Sequence, residues 1–98
     1  MAQVTQQANQ WHVSGDVLMN NANLLLNETE AFEMENGLEV DFSAVTDVDT
    51  AALSLMLEWQ RRAIAAECSI RFTHLPNNLV SLAALYDVTD FLSIGKNQ

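Results

Sequence analysis

The residues that could most readily do chemistry lie close together in the middle of the chain. Asp41, Asp47 and Asp49 are carboxylates of the kind used in acid–base catalysis or in Mg²⁺ binding, and Thr50 adds a hydroxyl. No paired base or nucleophile accompanies them, and a chain with 3 glycines has no glycine-rich phosphate loop. We therefore expect no enzymatic activity and no cofactor. Asp41 and Asp49 are expected to accept hydrogen bonds from the N–H groups of a turn and a helix start.

The histidines and the cysteine are expected to be structural. His12 and His74 lie in separate predicted strands, with no second His or Cys at ligand spacing, so no metal site is predicted. Cys68 is the only cysteine, which rules out an internal disulfide and favours a reducing compartment. No basic residue is adjacent in sequence to lower its pKa, so a buried and unreactive thiol is expected.

Thr50 has two interpretations that are compatible with each other. Asp49 or Thr50 could cap the following helix by accepting N–H hydrogen bonds, which stabilises a helix by about 1 kcal/mol. Alternatively, the Thr50 hydroxyl is exposed and forms part of a contact with another protein. A phosphate there would add about −1.5 to −2 charges beside Asp47 and Asp49, and would change that contact.

A helix from Thr50 to about Glu67 must position these groups, because the segment contains no Gly or Pro and many good helix formers. One stripe is predicted to face a sheet; it comprises Leu53, Met56, Leu57, Gln60 and Ile64.

A second face of the same helix carries Leu55, Glu58, Trp59 and Arg62. Leu55 and Trp59 are four residues apart and therefore lie together. Either they form an exposed interface anchor flanked by Glu58 and Arg62, or Trp59 covers the edge of the core. The anchor is our working hypothesis, and it would also favour weak self-association.

In the rest of the chain, the spacing of apolar residues predicts strands that alternate with helices. Residues 1–9 are expected to be poorly ordered or to form a weak edge strand. Strands are predicted at 10–14, 38–45 and 69–75, with a turn at Gly15–Asp16; helices are predicted at 23–35 and 78–86; and 87–94 is predicted to be a short strand or a docking segment. In the first helix, Leu24, Leu25 and Phe32 are predicted to share an apolar stripe. Helical crossovers of this kind predict an α/β fold whose mixed, largely parallel sheet has its helices mainly on one face.

Composition narrows the function classes further. The chain has 98 residues, a natural size for one domain, and its formal charge is −9. Such a charge disfavours binding to nucleic acid or to anionic lipid and favours a partner with a basic patch. The densest acidic run, Glu28 to Glu39, is expected to be a solvated face rather than a binding surface. No signal peptide and no membrane-spanning stretch is visible, so we expect a cytoplasmic protein that reaches a membrane only through a partner.

The segment from Leu38 to Leu57 resembles the STAS-domain family at its most diagnostic stretch. It contains the strand Val40-Asp41-Phe42-Ser43, a turn ending in Val48-Asp49-Thr50, and a helix that begins Ala51-Ala52-Leu53. Within that family the chain is similar to the MlaB-type subunits of phospholipid-transport ABC complexes. Trp11-His12-Val13-Ser14-Gly15 resembles their early strand, and Leu82 to Val88 resembles their last helix. Many members have Gly after the helix-start hydroxyl where this chain has alanines.

The resemblance implies a single STAS-like domain over residues 1–98. It also implies a non-catalytic subunit that binds and stabilises or regulates the ATPase of the transporter. The alternative is an anti-sigma-factor antagonist that binds a kinase and is switched by phosphorylation of Thr50. In either case the partner-binding residues are expected to be Asp49, Thr50, Ala51, Leu55, Glu58, Trp59 and Arg62.

Overall fold

A computed structural model describes residues 2–92 of the chain. Its elements in chain order are β1 (Gln3–Gln7), β2 (Gln10–Val17), α1 (Ala22–Thr29), β3 (Leu38–Val48), α2 (Thr50–Ala65), β4 (Ile70–Thr73), α3 (Asn77–Leu85) and a 3₁₀ turn (Thr89–Phe91).

The four described strands form one sheet in the order β1-β2-β3-β4. β1 and β2 form an antiparallel hairpin, whereas β2–β3 and β3–β4 are parallel pairs joined through helices. α2 packs between α1 and α3. The predicted α/β class, with a mixed and largely parallel sheet, is confirmed, and β1 is one of its two edge strands, as one of the two expectations for residues 1–9 had it.

The core lies between the sheet and the helices. Trp11, Val40 and Phe72 are neighbours across β2, β3 and β4, and each is fully buried. β3 has a continuous apolar face, because Leu38, Val40 and Phe42 are all buried; on its other face Glu39 is half-buried, Ser43 is exposed and Asp41 is a buried polar residue. The opposite face of the sheet is polar, as expected for a sheet with helices on one side.

Two strands continue beyond their predicted ends. β2 passes through Gly15, which adopts φ 83°, and ends at Val17 instead of turning at Gly15–Asp16. β3 reaches Val48, and the β2–β3 register shifts at two places along it. These β-bulges add residues to β3 and bend it, so the segment predicted as a turn is still paired with β2.

The first helix is shorter than predicted, and its apolar stripe is wrong. α1 ends at Thr29 instead of Glu35, and Leu24 is 61% exposed while Leu25 is buried. The helix stops where side chains occupy its carbonyls: the Leu26 carbonyl accepts hydrogen bonds from the Thr29 hydroxyl at 3.1 Å and from Arg62 Nη2 at 3.2 Å. Phe32 lies beyond the helix and stacks edge-on against Trp11, with ring centroids 5.3 Å apart.

The buried face of α2 is rotated from the predicted stripe by roughly a quarter turn. Leu53 and Met56 are buried as predicted, but Ile64 is 67% exposed. The observed stripe is Ala52, Met56, Trp59 and Ala63, together with Leu53 and Leu55. The two alanines allow α2 to lie close to the sheet and leave room for the Trp59 ring, a role that a reading based on large apolar residues overlooks.

The last described segment packs against the core without forming a strand. Val88 and Leu92 contact the core on either side of the 3₁₀ turn, which supports the docking alternative for this segment and makes the strand alternative wrong. Ile94, which was included in that prediction, lies outside the described residues. Among residues 2–92, no helix combines the length and apolar character needed to cross a membrane.

Candidate partner-binding site

The N-terminal end of α2 is held by the Asp49 side chain. Asp49 has an extended backbone conformation, and its Oδ1 accepts a hydrogen bond from the Ala51 N–H at 2.8 Å. Its Oδ2 accepts a second hydrogen bond from the Met19 N–H at 3.0 Å. One carboxylate therefore caps α2 and ties it to the loop between β2 and α1.

This arrangement leaves the Thr50 side chain without a capping role. Of the two residues that could have capped the helix, Asp49 does so. Thr50 is exposed, and its hydroxyl makes no hydrogen bond to any residue in 2–92. A surface hydroxyl at a helix N-terminus with no structural partner is available to a protein partner or to a modifying enzyme.

The loop beside Thr50 is built by Asn21. Its Oδ1 accepts a hydrogen bond from the Leu18 N–H at 2.8 Å, and its Nδ2 donates to the Asp16 carbonyl at 2.9 Å. The resulting tight turn leaves Met19 74% exposed next to the Asp49 cap. Sequence reasoning missed Met19, because nothing local shows that the turn is pinned by a residue 30 positions away.

Met19 and Thr50 border the same open pocket, whose volume is ≈ 320 Å³. Its lining consists of Met19, Ala22, Asn23, Leu26, Thr50, Ala51, Ser54 and Leu55. The pocket combines an apolar floor with hydroxyl and amide groups at its rim. Such a surface can receive a side chain of a partner protein, and Ala51 is among its lining residues.

The expected exposed anchor of Leu55 and Trp59 is wrong. Leu55 is 1% exposed, and Trp59 is fully buried. The Trp59 ring packs edge-on against Trp11 with centroids 5.5 Å apart, and its Nε1 donates to the Thr29 hydroxyl at 2.9 Å. Because this patch is inside the molecule, it gives no reason to expect self-association.

Glu58 and Arg62 remain accessible, and they lie on α2 facing α1. Glu58 forms an ion pair with Arg61, with Oε1 and Nη1 2.8 Å apart. Arg62 donates hydrogen bonds to the Thr29 hydroxyl and the Leu26 carbonyl. A larger open cavity of ≈ 710 Å³ separates the two helices there. Its lining consists of Asn23, Leu26, Asn27, Glu30, Ser54, Leu57, Glu58, Arg61 and Arg62.

Negative charge surrounds the Thr50 end of this surface. Asp47 is exposed, and its Oδ1 accepts a hydrogen bond from its neighbour's N–H, that of Val48, at 2.9 Å. Asp49 lies on the other side of that residue. A phosphate on Thr50 would follow Asp49 directly in the chain and lie three positions from Asp47, so it would add negative charge to an acidic segment beside the pocket that Thr50 lines.

The polar face of the sheet holds a cluster that the sequence did not predict. His12 Nδ1 lies 3.3 Å from Asp41 Oδ2, and His74 Nδ1 lies 3.1 Å from Asp41 Oδ1. Asp41 also accepts a hydrogen bond from the Ser43 N–H at 2.9 Å, as predicted for a turn-binding carboxylate. His74, expected inside a strand, follows β4 with φ 57°.

Burial of Asp41 acts to raise its pKa, but hydrogen bonds from Ser43 and the charge of His74 outweigh this and hold the pKa below its ordinary value. Within residues 2–92, no group of three or more His, Cys, Asp or Glu side chains is placed to hold a metal ion. The cluster therefore fastens β2, β3 and the end of β4 together through one carboxylate.

The family model described as "Mlab, STAS domain" matches residues 1–94, which is nearly the whole chain. No curated protein matches the chain. The matched region contains both the α2 N-terminus and the groove between α1 and α2.

Proposed function

Because the chain belongs to the MlaB-type STAS-domain family, we propose that it is a non-catalytic subunit that binds and stabilises or regulates the ATPase of a phospholipid-transport ABC complex. In this proposal the protein is cytoplasmic, and it is held at the membrane only through that complex. STAS domains generally act by binding other proteins, and the surface described above has the features of a binding site.

The observation that carries the proposal is the unused Thr50 hydroxyl. Asp49 caps α2 by itself, so neither the helix nor the core needs Thr50. The hydroxyl borders a pocket whose opposite rim is Met19, an exposed and flexible apolar side chain. Methionine is common at surfaces that adapt to a partner. The pocket therefore brings exposed polar groups next to the apolar side chains of Ala22 and Leu55 at the edge of the core.

A charge at position 50 is the sharpest test of this contact. We expect Thr50→Glu to abolish binding of the purified ATPase, because it would put a charge in the lining of the pocket and add a third carboxylate to the segment that carries Asp47 and Asp49. We expect Thr50→Ala to weaken binding only moderately, by about 3- to 10-fold, since it removes one uncharged hydrogen-bonding group. Binding is measured by calorimetry with the ATPase from the same organism.

Two controls separate binding from folding. Ser81→Glu adds the same charge at an exposed position of α3 and should leave the affinity unchanged. Thr50→Glu should not lower the melting temperature, because a negative charge at a helix N-terminus is favourable. If Thr50→Glu binds the ATPase with wild-type affinity, Thr50 is not part of the interface.

The second candidate is an anti-sigma-factor antagonist, which the same exposed hydroxyl favours. Here a kinase partner would phosphorylate Thr50, and the added charge would release the complex. Mass spectrometry of the protein purified from its native cell distinguishes the two functions. Co-purification of a kinase together with phosphate on Thr50 favours the switch, whereas co-purification of an unmodified chain with an ABC ATPase favours the transporter subunit.

A further inference from the structure

The two edges of the sheet differ in how they are protected against pairing with a further strand. An edge presents unpaired backbone N–H and C=O groups, which another strand can bind unless charges, Pro or bulges prevent it. β4 is protected, because it has 4 residues, carries Arg71 and is followed closely by Pro76. β1 spans Gln3–Gln7, contains no charged residue and no Pro, and pairs with β2 in one continuous register. The β1 edge is therefore open to a further strand.

The β1–β2 register shows which backbone groups of β1 face outwards. Gln7 pairs with Gln10 across a two-residue turn, so these residues exchange backbone hydrogen bonds, and every second pair along the antiparallel ladder does the same. The Thr5 N–H and C=O groups therefore point towards β2, whereas those of Val4 and Gln6 point away from it. Within residues 2–92, neither Val4 nor Gln6 takes part in a backbone hydrogen bond outside the ladder. The outward donors and acceptors of β1 are thus left without a backbone partner.

A second copy of β1 matches this edge when it lies antiparallel to the first, about a two-fold axis at Thr5. Val4 then pairs with Gln6 of the second copy, and Gln6 with its Val4, so that all the outward donors and acceptors are satisfied. The exposed side chains also match themselves. Thr5 meets Thr5, and the Gln3 amide meets that of Gln7, each with a donor and an acceptor.

The charge distribution allows two acidic chains to meet at this edge. All 13 acidic residues lie at Asp16 or later in the sequence, so β1 and the turn after it are uncharged. Two copies joined here bring no carboxylates of β1 face to face. The carboxylates of Asp16 and Glu28 border a pocket at Ala2, just before β1, so some repulsion remains and salt should strengthen the contact.

We propose that two copies of the chain associate through antiparallel β1–β1 pairing, which joins their four-stranded sheets into one. The contact consists mainly of backbone hydrogen bonds and uncharged side chains, so the dimer is weak and forms at high protein concentration. This inference goes beyond the proposed function and does not rest on it, because it concerns the chain alone.

Sedimentation equilibrium of the full chain, from micromolar to millimolar concentration and without the ATPase, measures the dimer. Gln6→Pro removes an outward N–H that β2 does not use, and should raise the dissociation constant by about 10- to 100-fold. Thr5→Glu puts two carboxylates opposite each other at the axis and should abolish the dimer. Ser81→Glu, the matched control, adds the same charge on α3 and should leave the dissociation constant unchanged. Melting curves at micromolar concentration show whether each variant is folded.

Amide hydrogen exchange, followed by NMR, identifies the interface itself. In the monomer the Thr5 N–H is bonded to β2, whereas the N–H groups of Val4 and Gln6 are free to exchange. As the dimer forms, exchange of the Val4 and Gln6 amides should slow in proportion to the dimer population, while that of the Thr5 amide changes little. A dimer formed through another surface would leave Val4 and Gln6 unprotected and would overturn the proposal.

A chain that stays monomeric over the whole concentration range overturns the proposal, and so does a dimer that Thr5→Glu and Gln6→Pro do not weaken. Protection of Val4 and Gln6 that appears only after the purified ATPase is added would show that a strand of this partner occupies the edge, and would overturn the proposal as well. None of these results contradicts the proposed function, which the Thr50 variants test separately.

Discussion

At the scale of single residues, position in the fold decides what each polar side chain does. Asp49 and Thr50 are adjacent and both can cap a helix, but only Asp49 accepts the Ala51 N–H. The second oxygen of Asp49 also binds the Met19 N–H, a contact that Thr50 could not provide with a single hydroxyl. Because Asp49 makes both bonds, the Thr50 side chain is left exposed.

Asp41 should make the stability of the protein depend on pH. Its pKa is lowered in the folded state, so the stability it contributes is present above its unfolded pKa of about 3.9 and is lost as the pH falls through its folded pKa. We expect Asp41→Asn to lower the free energy of unfolding at neutral pH by about 1–3 kcal/mol. The substitution removes a buried carboxylate that accepts the Ser43 N–H and contacts the rings of His12 and His74.

Urea unfolding at several values from about pH 7 down to about pH 3 measures this effect. The difference between the wild type and Asp41→Asn should shrink as the pH falls below about 5. Glu28→Gln, which removes an exposed carboxylate of α1, is the matched control and should show no such trend. A difference that stays constant with pH would show that Asp41 contributes by shape rather than by charge.

At the scale of elements, α1 and α2 are joined by a polar contact inside the core. The Thr29 hydroxyl accepts hydrogen bonds from Trp59 Nε1 at 2.9 Å and from Arg62 at 3.2 Å. The same hydroxyl lies 3.0 Å from the Leu25 carbonyl of its own helix. Thr29 therefore both ends α1 and sets the position of α2 beside it.

The two buried tryptophans should respond differently to the same substitution. Trp59 Nε1 is hydrogen-bonded, whereas the buried Trp11 Nε1 has no hydrogen-bond partner among the described residues. Trp→Phe removes similar volume at each site, but only Trp59→Phe also removes a buried hydrogen bond. We expect Trp59→Phe to cost about 1–3 kcal/mol more of unfolding free energy than Trp11→Phe, measured by urea denaturation. Equal losses of unfolding free energy in the two variants would mean that the hydrogen bond from Trp59 to Thr29 does not contribute to stability.

At the scale of the whole molecule, net charge opposes folding. The three described arginines each lie within 4 Å of a glutamate, at 2.8, 3.9 and 3.2 Å, but exposed pairs of this kind stabilise a protein little. The net charge of −9, which remains after every positive charge is counted, is spread over a chain whose radius of gyration is 12.1 Å. Repulsion over such short distances destabilises the compact state.

Salt should therefore stabilise the protein. Raising NaCl from about 0.1 M to about 1 M shortens the screening length from about 10 Å to about 3 Å. We expect the melting temperature to rise by several degrees, since about 1 kcal/mol corresponds to about 4–8 °C in a domain of this size. Calorimetric melting curves measure the shift.

A variant with less charge controls for effects of salt on the solvent. Combining Glu28→Gln, Glu33→Gln and Glu35→Gln removes three exposed carboxylates, so its melting temperature should respond less to NaCl. An equal response would show that screening is not the cause.

Several features of this protein were determined by local sequence alone. The apolar face from Leu38 to Phe42, the unbroken helix after Asp49 and the STAS-type segment between them depend on neighbouring residues, and all are observed. The exposed position of Thr50, in contrast, was one of two interpretations that the sequence left open, and it was decided by the Asp49 side chain, which caps α2 alone.

Only the tertiary structure decided which side of α2 is buried, where α1 ends, and which groups meet on the polar face of the sheet. Trp59 is buried because Trp11 and Thr29, far away in sequence, form a place for its ring and its N–H. His12 and His74 meet at Asp41 because parallel pairing aligns three distant strands. Helix periodicity can be read from the chain, but the direction a face points is set by partners that only folding brings into contact.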